Sequence, residues 1–290
     1  GWRDQIGDFK YGAKLSLSDS QSKILRYGNP TGSLSKYVEG ELIGNIYGYT
    51  TIGIAKTDEE MQQHLASLPN GGQSALGSQW AAGDIMYADL NGDGKINNGS
   101  YTINDMGDMK KIGNSTPRFM TGINLDAAYK GWDLQMFWQG VLKRDWWPGD
   151  KNMTFWGVTD GEWWSTSFKE HLDYFRTSEN PLGENLNSYY PRPIFNTKNN
   201  KSQTRYLQNA AYMRLKNIQV GYTFPKVWIN KLMLQNLRIF VSGENLLTIT
   251  SLSDTMDPET CGAGYQSTEQ ANGTVYPLAK TISFGLSVNF

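Results

Sequence analysis

Cysteine, histidine and net charge are all scarce in this sequence of 290 residues. The single cysteine, Cys261, excludes an internal disulfide framework. His64 and His171 are the only histidines, and the GxSxG, HExxH, P-loop and CxxC motifs are absent. No pair of carboxylates stands out as a hydrolytic dyad, so we do not expect an enzyme. The net charge of -1 leaves no electrostatic case for a nucleic-acid partner.

Long apolar runs are missing too, whereas aromatic residues are abundant. Because no run of about 20 apolar residues occurs, we expect no transmembrane helix. Hydrophobic residues make up 39% of the chain and aromatic residues 13%, with 10 Trp and 16 Tyr. This composition fits a β-barrel wall with a polar inner face and aromatic rims. Soluble carbohydrate-binding β-proteins share it, so composition does not choose between these classes.

The clearest strand pattern lies between residues 119 and 142. Apolar and polar side chains alternate on both sides of Lys130-Gly131, which predicts two amphipathic strands joined by a tight turn. Strands of about ten residues, with Tyr129 and Trp132 beside the turn, are typical of a transmembrane β-barrel hairpin with an interfacial aromatic girdle. A soluble antiparallel sheet with one buried face would show the same alternation.

The alternation also predicts what each face of a barrel wall would contact. The chain ends on a further alternating strand, residues 281–290, whose last residue is Phe290, as in the terminal strand of outer-membrane barrels. The side chains predicted to face lipid include Ile123, Leu134, Phe284 and Leu286. Those predicted to face the lumen include Asn124, Gln135, Ser283 and Ser287.

Two long stretches, residues 71–116 and 142–203, look irregular and are rich in turn-forming residues. Such loops are unusual in a compact soluble domain but typical of the extracellular side of an outer-membrane barrel. One short helix is predicted over residues 57–67, where Thr57 can cap the first turn and Glu60 occupies the capping-box position.

Residues 89–97 (DLNGDGKIN) resemble a calcium-binding loop. Asp89, Asn91 and Asp93 occupy ligand positions 1, 3 and 5 of an EF-hand-like loop, and the Lys95 carbonyl would be position 7. Alternating oxygen donors of this kind can wrap one Ca²⁺ ion.

The match is incomplete at position 12, where Ser100 replaces the usual glutamate. A further carboxylate would have to come from Asp105 or Asp108. Two interpretations stay open: a structural Ca²⁺ site, or a turn of Asn, Asp and Gly residues that holds no ion.

Tryptophans cluster in the second long loop, among acidic and basic residues. Sugar rings stack on aromatic faces while carboxylates bind hydroxyls, which makes this loop a candidate substrate or partner surface. In the other interpretation the loop packs on itself, and these rings form a hydrophobic core within the loop. The candidate residues are Trp146, Trp147, Trp156, Trp163 and Trp164.

Seven separated motifs, in order along nearly the whole chain, resemble the SusC-like (SusC/RagA-type) TonB-dependent outer-membrane transporters. They read KILRYGNPTGSLSKYVEGELIGNIYGY, SALGSQWAAGDIMYADLNGDGKI, IGNSTPRFMTGINL, FWQGVLKRDWWPGD, QTRYLQNAAYMRLKNIQVGYTFP, LRIFVSGENLLTIT and YPLAKTISFGLSVNF.

The resemblance implies an all-β fold. Residues 1–290 would form the C-terminal part of a large transmembrane antiparallel β-barrel with long extracellular loops, a barrel that has 22 strands in the family. The plug domain, the TonB box and the other N-terminal parts of the family have no counterpart in the chain. The residues of the calcium-like loop would lie in an extracellular loop, and Trp146 and Trp147 at the outer rim or partner interface.

The implied function is TonB-dependent import of nutrient oligosaccharides, and sometimes peptides, across the outer membrane. A SusD-like surface lipoprotein would close over the barrel, and outer-membrane lipid would surround it. The alternative is a soluble or surface-anchored glycan-binding β-sandwich, which would not need detergent for extraction.

Overall fold

The computed structural model describes residues 1–163, 165–261 and 276–290. Within them no helix is long and apolar enough to cross a membrane. The helices are α1 (Asp58–Ala66), α2 (Met153–Trp156) and α3 (Lys226–Ile229). The strands are β1 (Trp2–Ile6), β2 (Phe9–Ser18), β3 (Asn45–Tyr49), β4 (Thr51–Ile54), β5 (Ile85–Tyr87), β6 (Met109–Asn114), β7 (Arg118–Tyr129), β8 (Trp132–Lys143), β9 (Asp145–Trp146), β10 (Gln208–Asn209), β11 (Tyr212–Thr223), β12 (Asn236–Thr250) and β13 (Thr281–Asn289).

Seven strands form one antiparallel sheet in the order β1-β2-β7-β8-β11-β12-β13. Its edge strands β1 and β13 do not pair with each other, so the sheet is part of a barrel that does not close within this chain. The β-sandwich alternative is wrong, because no second sheet covers the apolar face in the described residues. Leu15, Phe284 and Leu286 on that face are 65%, 82% and 65% exposed.

The strand register confirms the predicted faces. Ile123 pairs with Trp138, Leu134 with Val220, and Val241 with Phe284. Cross-strand partners point to the same side of a sheet, so these apolar side chains form one continuous surface. The opposite face carries the polar set, including Asn124, Gln135, Ser283 and Ser287. The all-β barrel wall expected from the sequence is therefore the observed fold.

Short turns close one end of the sheet. Lys130 and Gly131 have φ angles of 45° and 90°, which makes the predicted two-residue turn one with both central residues in the left-handed region. A Cβ on Gly131 would lie 2.7 Å from the Thr223 carbonyl oxygen, so the close approach of β11 also requires glycine. The longest connection at this end, residues 224–235, contains α3 and a 3₁₀ turn.

Aromatic rings mark the same end on the apolar face. The Phe9 ring lies 6.4 Å from Tyr129, and Trp132 lies 5.0 Å from Tyr222 (centroid distances). Tyr129 and Trp132 are themselves cross-strand partners. The rings therefore form a row along four strands, where the sequence predicted an interfacial girdle.

The long connections emerge at the opposite end and pack together. Residues 19–117, 144–211 and 251–261 contribute to one hydrophobic core, which we call the loop assembly core. The stretch predicted to be irregular contains β5, whose three residues are all buried, and β6, which pairs with β3. The loop assembly core includes Met61, Trp80, Ile85, Tyr87, Ile96, Trp146, Phe155, Trp156, Tyr190, Tyr206, Leu252 and Met256.

Candidate functional site

The predicted cation loop is a tight turn held by its own carboxylates. Asp89 accepts hydrogen bonds from the backbone N–H groups of Gly92 and Gly94 at 2.7 and 2.8 Å. Asn91 Oδ1 accepts from the Asp93 N–H at 3.0 Å, which gives the turn the alternating oxygen pattern expected from the sequence. Lys95 Nζ lies 3.8 Å from the Asp93 carboxylate.

A third carboxylate joins this loop, and it comes from Asp108. Oxygens of Asp89, Asp93 and Asp108 all lie within 4.8 Å of one another. Asp105, the other candidate, is turned away and accepts hydrogen bonds from the Ser100 backbone and hydroxyl at 2.8 and 2.7 Å. The donor set contains only hard oxygen atoms, so its chemistry fits Ca²⁺.

Electrostatics differ between these carboxylates. Asp108 is fully buried, and burial raises the pKa of its carboxyl group. Burial acts on Asp89 in the same direction, but hydrogen bonds from the Gly94 and Gly92 amides outweigh it and hold the pKa of Asp89 below its ordinary value. A divalent cation would offset the repulsion that Asp89 exerts on Asp108.

The five candidate tryptophans do not share one surface. Trp146 and Trp156 are 2% and 0% exposed and belong to the loop assembly core, as the self-packing interpretation requires. Trp147 is half-buried, with its ring 6.1 Å from that of Trp156. Trp163 is 79% exposed. Trp164 lies outside the described residues.

A dense group of aromatic rings surrounds Trp156. Its ring packs edge-on against Phe155 and Tyr206, both at 4.8 Å. The nearby His171 is buried: its Nδ1 accepts from the Phe168 N–H at 2.8 Å, and its Nε2 donates to the Phe155 carbonyl at 3.1 Å. Burial lowers the pKa of this imidazole. His171 is therefore a neutral structural residue that joins two segments of the second loop.

Sequence reasoning missed a buried ion cluster that joins the first two long loops. Asp84 is fully buried and forms ion pairs with Arg192 and Lys198, each at 2.8 Å. Asn199 also donates to its carboxylate at 2.9 Å. Lys198 stacks over Trp80, 4.5 Å from the ring centroid. Because the partners are more than 100 residues apart in sequence, no local pattern could have revealed them.

A second ion cluster that sequence reasoning missed joins residues 251–261 to β11. Arg214 pairs with Asp257 at 2.9 Å and with Glu259 at 2.8 Å, and Lys216 also reaches Glu259 at 3.1 Å. Arg144, which follows β8, donates to the Pro258 carbonyl at 3.4 Å. These contacts hold residues 251–261 against the loop-side end of the sheet.

The polar face of the sheet has one fixed charged group near the short turns. Arg238 forms a two-point contact with Asp133, at 3.0 and 2.6 Å, and also donates to Gln219 at 3.0 Å. Closer to the middle of the strands, Arg3 lies 3.7 Å from Asp126. A face with hydrogen-bonding and charged groups of both signs suits a water-filled or protein-filled lumen, whereas the other face is mostly apolar.

Comparison with known proteins identifies this architecture. No protein-family model matches the chain. The TonB-dependent receptor P3 of Formosa agariphila is 30% identical over 260 residues, which are 87% of this chain and 22% of that receptor. The homologues of this chain are TonB-dependent receptors. A second receptor from that organism, P39, is 23% identical over 97% of this chain and 28% of its own length.

Solved structures show the same fold. The RagAB peptide transporter aligns with 99% of this chain and 28% of its own chain, with a TM-score of 0.62 and 18% identity. The RagAB peptide importer in the open-open state aligns with a TM-score of 0.57 and 17% identity. The chain therefore spans about a quarter of the length of the relatives that it matches.

Proposed function

We propose that this chain forms part of the wall of a transporter that imports nutrient oligosaccharides across the outer membrane with energy relayed by TonB. The proposal depends on one observation: the sheet exposes its apolar face and carries polar side chains on the opposite face, in a chain related to TonB-dependent receptors. Two similar receptors bear the TonB-dependent name, which supports the energy source.

Peptides are the second candidate substrate, because the solved transporter with the same fold is named as a peptide transporter. Growth tests distinguish the two. A strain that lacks the gene would be grown on defined oligosaccharides or on peptides as the limiting nutrient. Loss of growth on oligosaccharides alone, restored by the gene but not in a strain without TonB, supports the proposal. Unchanged growth on every nutrient that the intact strain uses would contradict it.

We also propose a SusD-like surface lipoprotein as partner of the loop assembly. The loops leave apolar side chains in water, among them Trp163 at 79% exposure and Phe195 at 83%. Exposed aromatic groups of this size are typical anchors of protein interfaces. Co-purification of the lipoprotein with the intact receptor from detergent-solubilised membranes tests this. A receptor that purifies alone, without loss of import, would contradict the proposal.

A structural Ca²⁺ ion in the loop of Asp89, Asn91, Asp93 and Lys95 is the proposed cofactor. The convergence of Asp89, Asp93 and Asp108 supports it, since three carboxylates this close repel one another unless a cation or protons intervene. The ion would stiffen the loop and take no part in transport chemistry.

A further inference from the structure

The connection between β11 and β12 departs from the short turns beside it. Residues 224–235 read FPKVWINKLMLQ, in which α3 is followed by a 3₁₀ turn at Asn230–Leu232. Ile229 is 2% exposed and fixes the segment to the sheet end. Val227, Trp228 and Met233 are 76%, 61% and 90% exposed. Three large apolar side chains thus project from one short segment.

These side chains continue the apolar face of the sheet. Phe224, the first residue after β11, packs against Tyr222, with their ring centroids 5.1 Å apart. Trp228 continues the row, at 6.3 Å from Phe224. The aromatic row that begins on β2 therefore extends onto α3. Whatever covers the apolar face of the sheet also reaches Trp228.

Charge supports the same occupant. Residues 224–235 contain two lysines, Lys226 and Lys231, and no acidic residue. Both lysines are exposed, at the same end as Lys130. A tryptophan among exposed aliphatic side chains and lysines is the composition of a segment that lies at a lipid–water boundary, where amines meet phosphates and the indole ring lies at headgroup level.

We infer that residues 224–235 form an interfacial anchor that inserts Trp228 and Val227 into the phospholipid leaflet at the short-turn end of the barrel. Lys226 and Lys231 lie at the level of the lipid phosphates. The anchor is a phospholipid-binding surface, which is distinct from the transport pathway on the opposite face of the sheet. It fixes the depth of this part of the wall in the membrane.

Site-directed spin labelling of the intact receptor tests the anchor. A nitroxide would be placed at position 228 by Trp228→Cys, and at position 8 by Asp8→Cys as the control, in vesicles of phosphatidylcholine and phosphatidylglycerol. Asp8 lies in the turn between β1 and β2, and its side chain is 71% exposed. The native Cys261 is buried and would label poorly.

The two labels should respond oppositely to paramagnetic relaxers. Oxygen, which partitions into lipid, should relax the label at position 228 more than a water-soluble nickel complex does, and the order should reverse at position 8. A label at position 228 that the nickel complex relaxes as strongly as the label at position 8 would overturn the anchor. Val227→Cys keeps Trp228 in place and gives a second site, should the first variant fold poorly.

The lysines provide an independent check. With the label at position 227, the double variant Lys226→Gln/Lys231→Gln should abolish any increase in depth caused by adding phosphatidylglycerol to phosphatidylcholine vesicles. Lys110→Gln/Lys111→Gln, on β6 in the loop assembly, is the matched control and should leave that response unchanged. A response that survives loss of both anchor lysines would overturn their assignment to lipid phosphates.

Discussion

The sheet and the loop assembly solve the burial of apolar groups in opposite ways. The sheet leaves Leu15 and Phe284 65% and 82% exposed, whereas the loops bury Trp156 and Tyr206 completely. The loop assembly follows the rule for proteins in water, with apolar groups inside. The sheet follows the rule for a barrel wall in lipid, where the backbone bonds are satisfied between strands and the apolar side chains point outward. The two regions therefore place their apolar side chains oppositely, inside in the loops and outside in the sheet.

The sheet and the loop assembly also differ in where they hold their paired charged groups. The ion cluster of Asp84 lies in the interior of the loop assembly, with Lys198 only 3% exposed. In the sheet, Arg238 and Asp133 pair on the polar face. In the loops the charged cluster is buried beside the apolar core, where Lys198 contacts Trp80, whereas in the sheet this pair lies on the face opposite to the apolar side chains.

The largest expected effect concerns the loop cluster. Asp84→Asn should destabilise the loop assembly by about 3–5 kcal/mol, because the buried Lys198 and the half-buried Arg192 would remain side by side without an anion. Hydrogen exchange should accelerate across residues 45–114 and 185–205 and stay unchanged in the strands of the sheet. Glu59→Gln, at an exposed position of α1, is the control. Equal exchange rates for both variants would show that the cluster is not structural.

Removing an aromatic ring from the loop assembly core should destabilise the loops to a similar degree. Trp156→Ala should cost about 3–5 kcal/mol, because it opens a cavity between Phe155 and Tyr206. Trp163→Ala, in the same loop but exposed, should change stability by less than about 0.5 kcal/mol. Limited proteolysis of the two variants measures the difference. Equal protease sensitivity would mean that Trp156 is not part of a packed core.

Calcium should stabilise the loops and leave the sheet unaffected. At about one hundred times its dissociation constant, bound Ca²⁺ would add about 2.7 kcal/mol to the loop assembly. Asp93→Ala should abolish this gain, which thermal unfolding with and without Ca²⁺ would measure. Asp105→Ala is the control, since that carboxylate lies outside the group of three. A gain that persists in Asp93→Ala would contradict the site.

Acidity should weaken the same site. Burial raises the pKa of Asp108, so protons compete with Ca²⁺ at that carboxylate as the pH falls through the raised value. Terbium luminescence, with Tb³⁺ as a probe for Ca²⁺, should therefore show binding that weakens as the pH is lowered from neutral towards that value. Binding independent of pH over this range would exclude Asp108 as a ligand.

The smallest predicted effect tests the first helix. Thr57 Oγ1 accepts the Glu60 N–H at 3.2 Å, so Thr57→Ala should cost about 1 kcal/mol through loss of the N-cap. Thr57→Ser retains the hydroxyl and should remain close to the wild type. Exchange rates of the amides in the first turn of α1 distinguish the two variants.

Sequence reasoning predicted the sheet better than the loops for a physical reason. Alternation is local, so the faces of Ile123 and Asn124 and the turn at Lys130-Gly131 could be read from a few neighbours. The helix cap at Thr57 is local in the same way. The identity of the medium beside the apolar face was not readable from one hairpin, because a soluble sheet alternates identically.

The loop contacts were beyond local patterns. Asp84 meets Asn199 across 115 positions, and β3 pairs with β6 across a long insertion. The choice of Asp108 over Asp105 at the cation loop depends on how the chain returns, which spacing does not fix. The tryptophan pattern likewise could not separate Trp156, in the core, from Trp163, on the surface.

A matched pair of substitutions on β7 tests most directly whether the apolar face of the sheet meets lipid. Ile123 and Asn124 are adjacent near the middle of the strand and point to opposite faces. In urea titrations of the receptor in lipid vesicles, Ile123→Arg should lower the free energy of unfolding by about 2–4 kcal/mol. Asn124→Arg, on the polar face, should lower it by less than about 1 kcal/mol. Equal losses, or a larger loss for Asn124→Arg, would contradict a wall whose apolar face meets lipid.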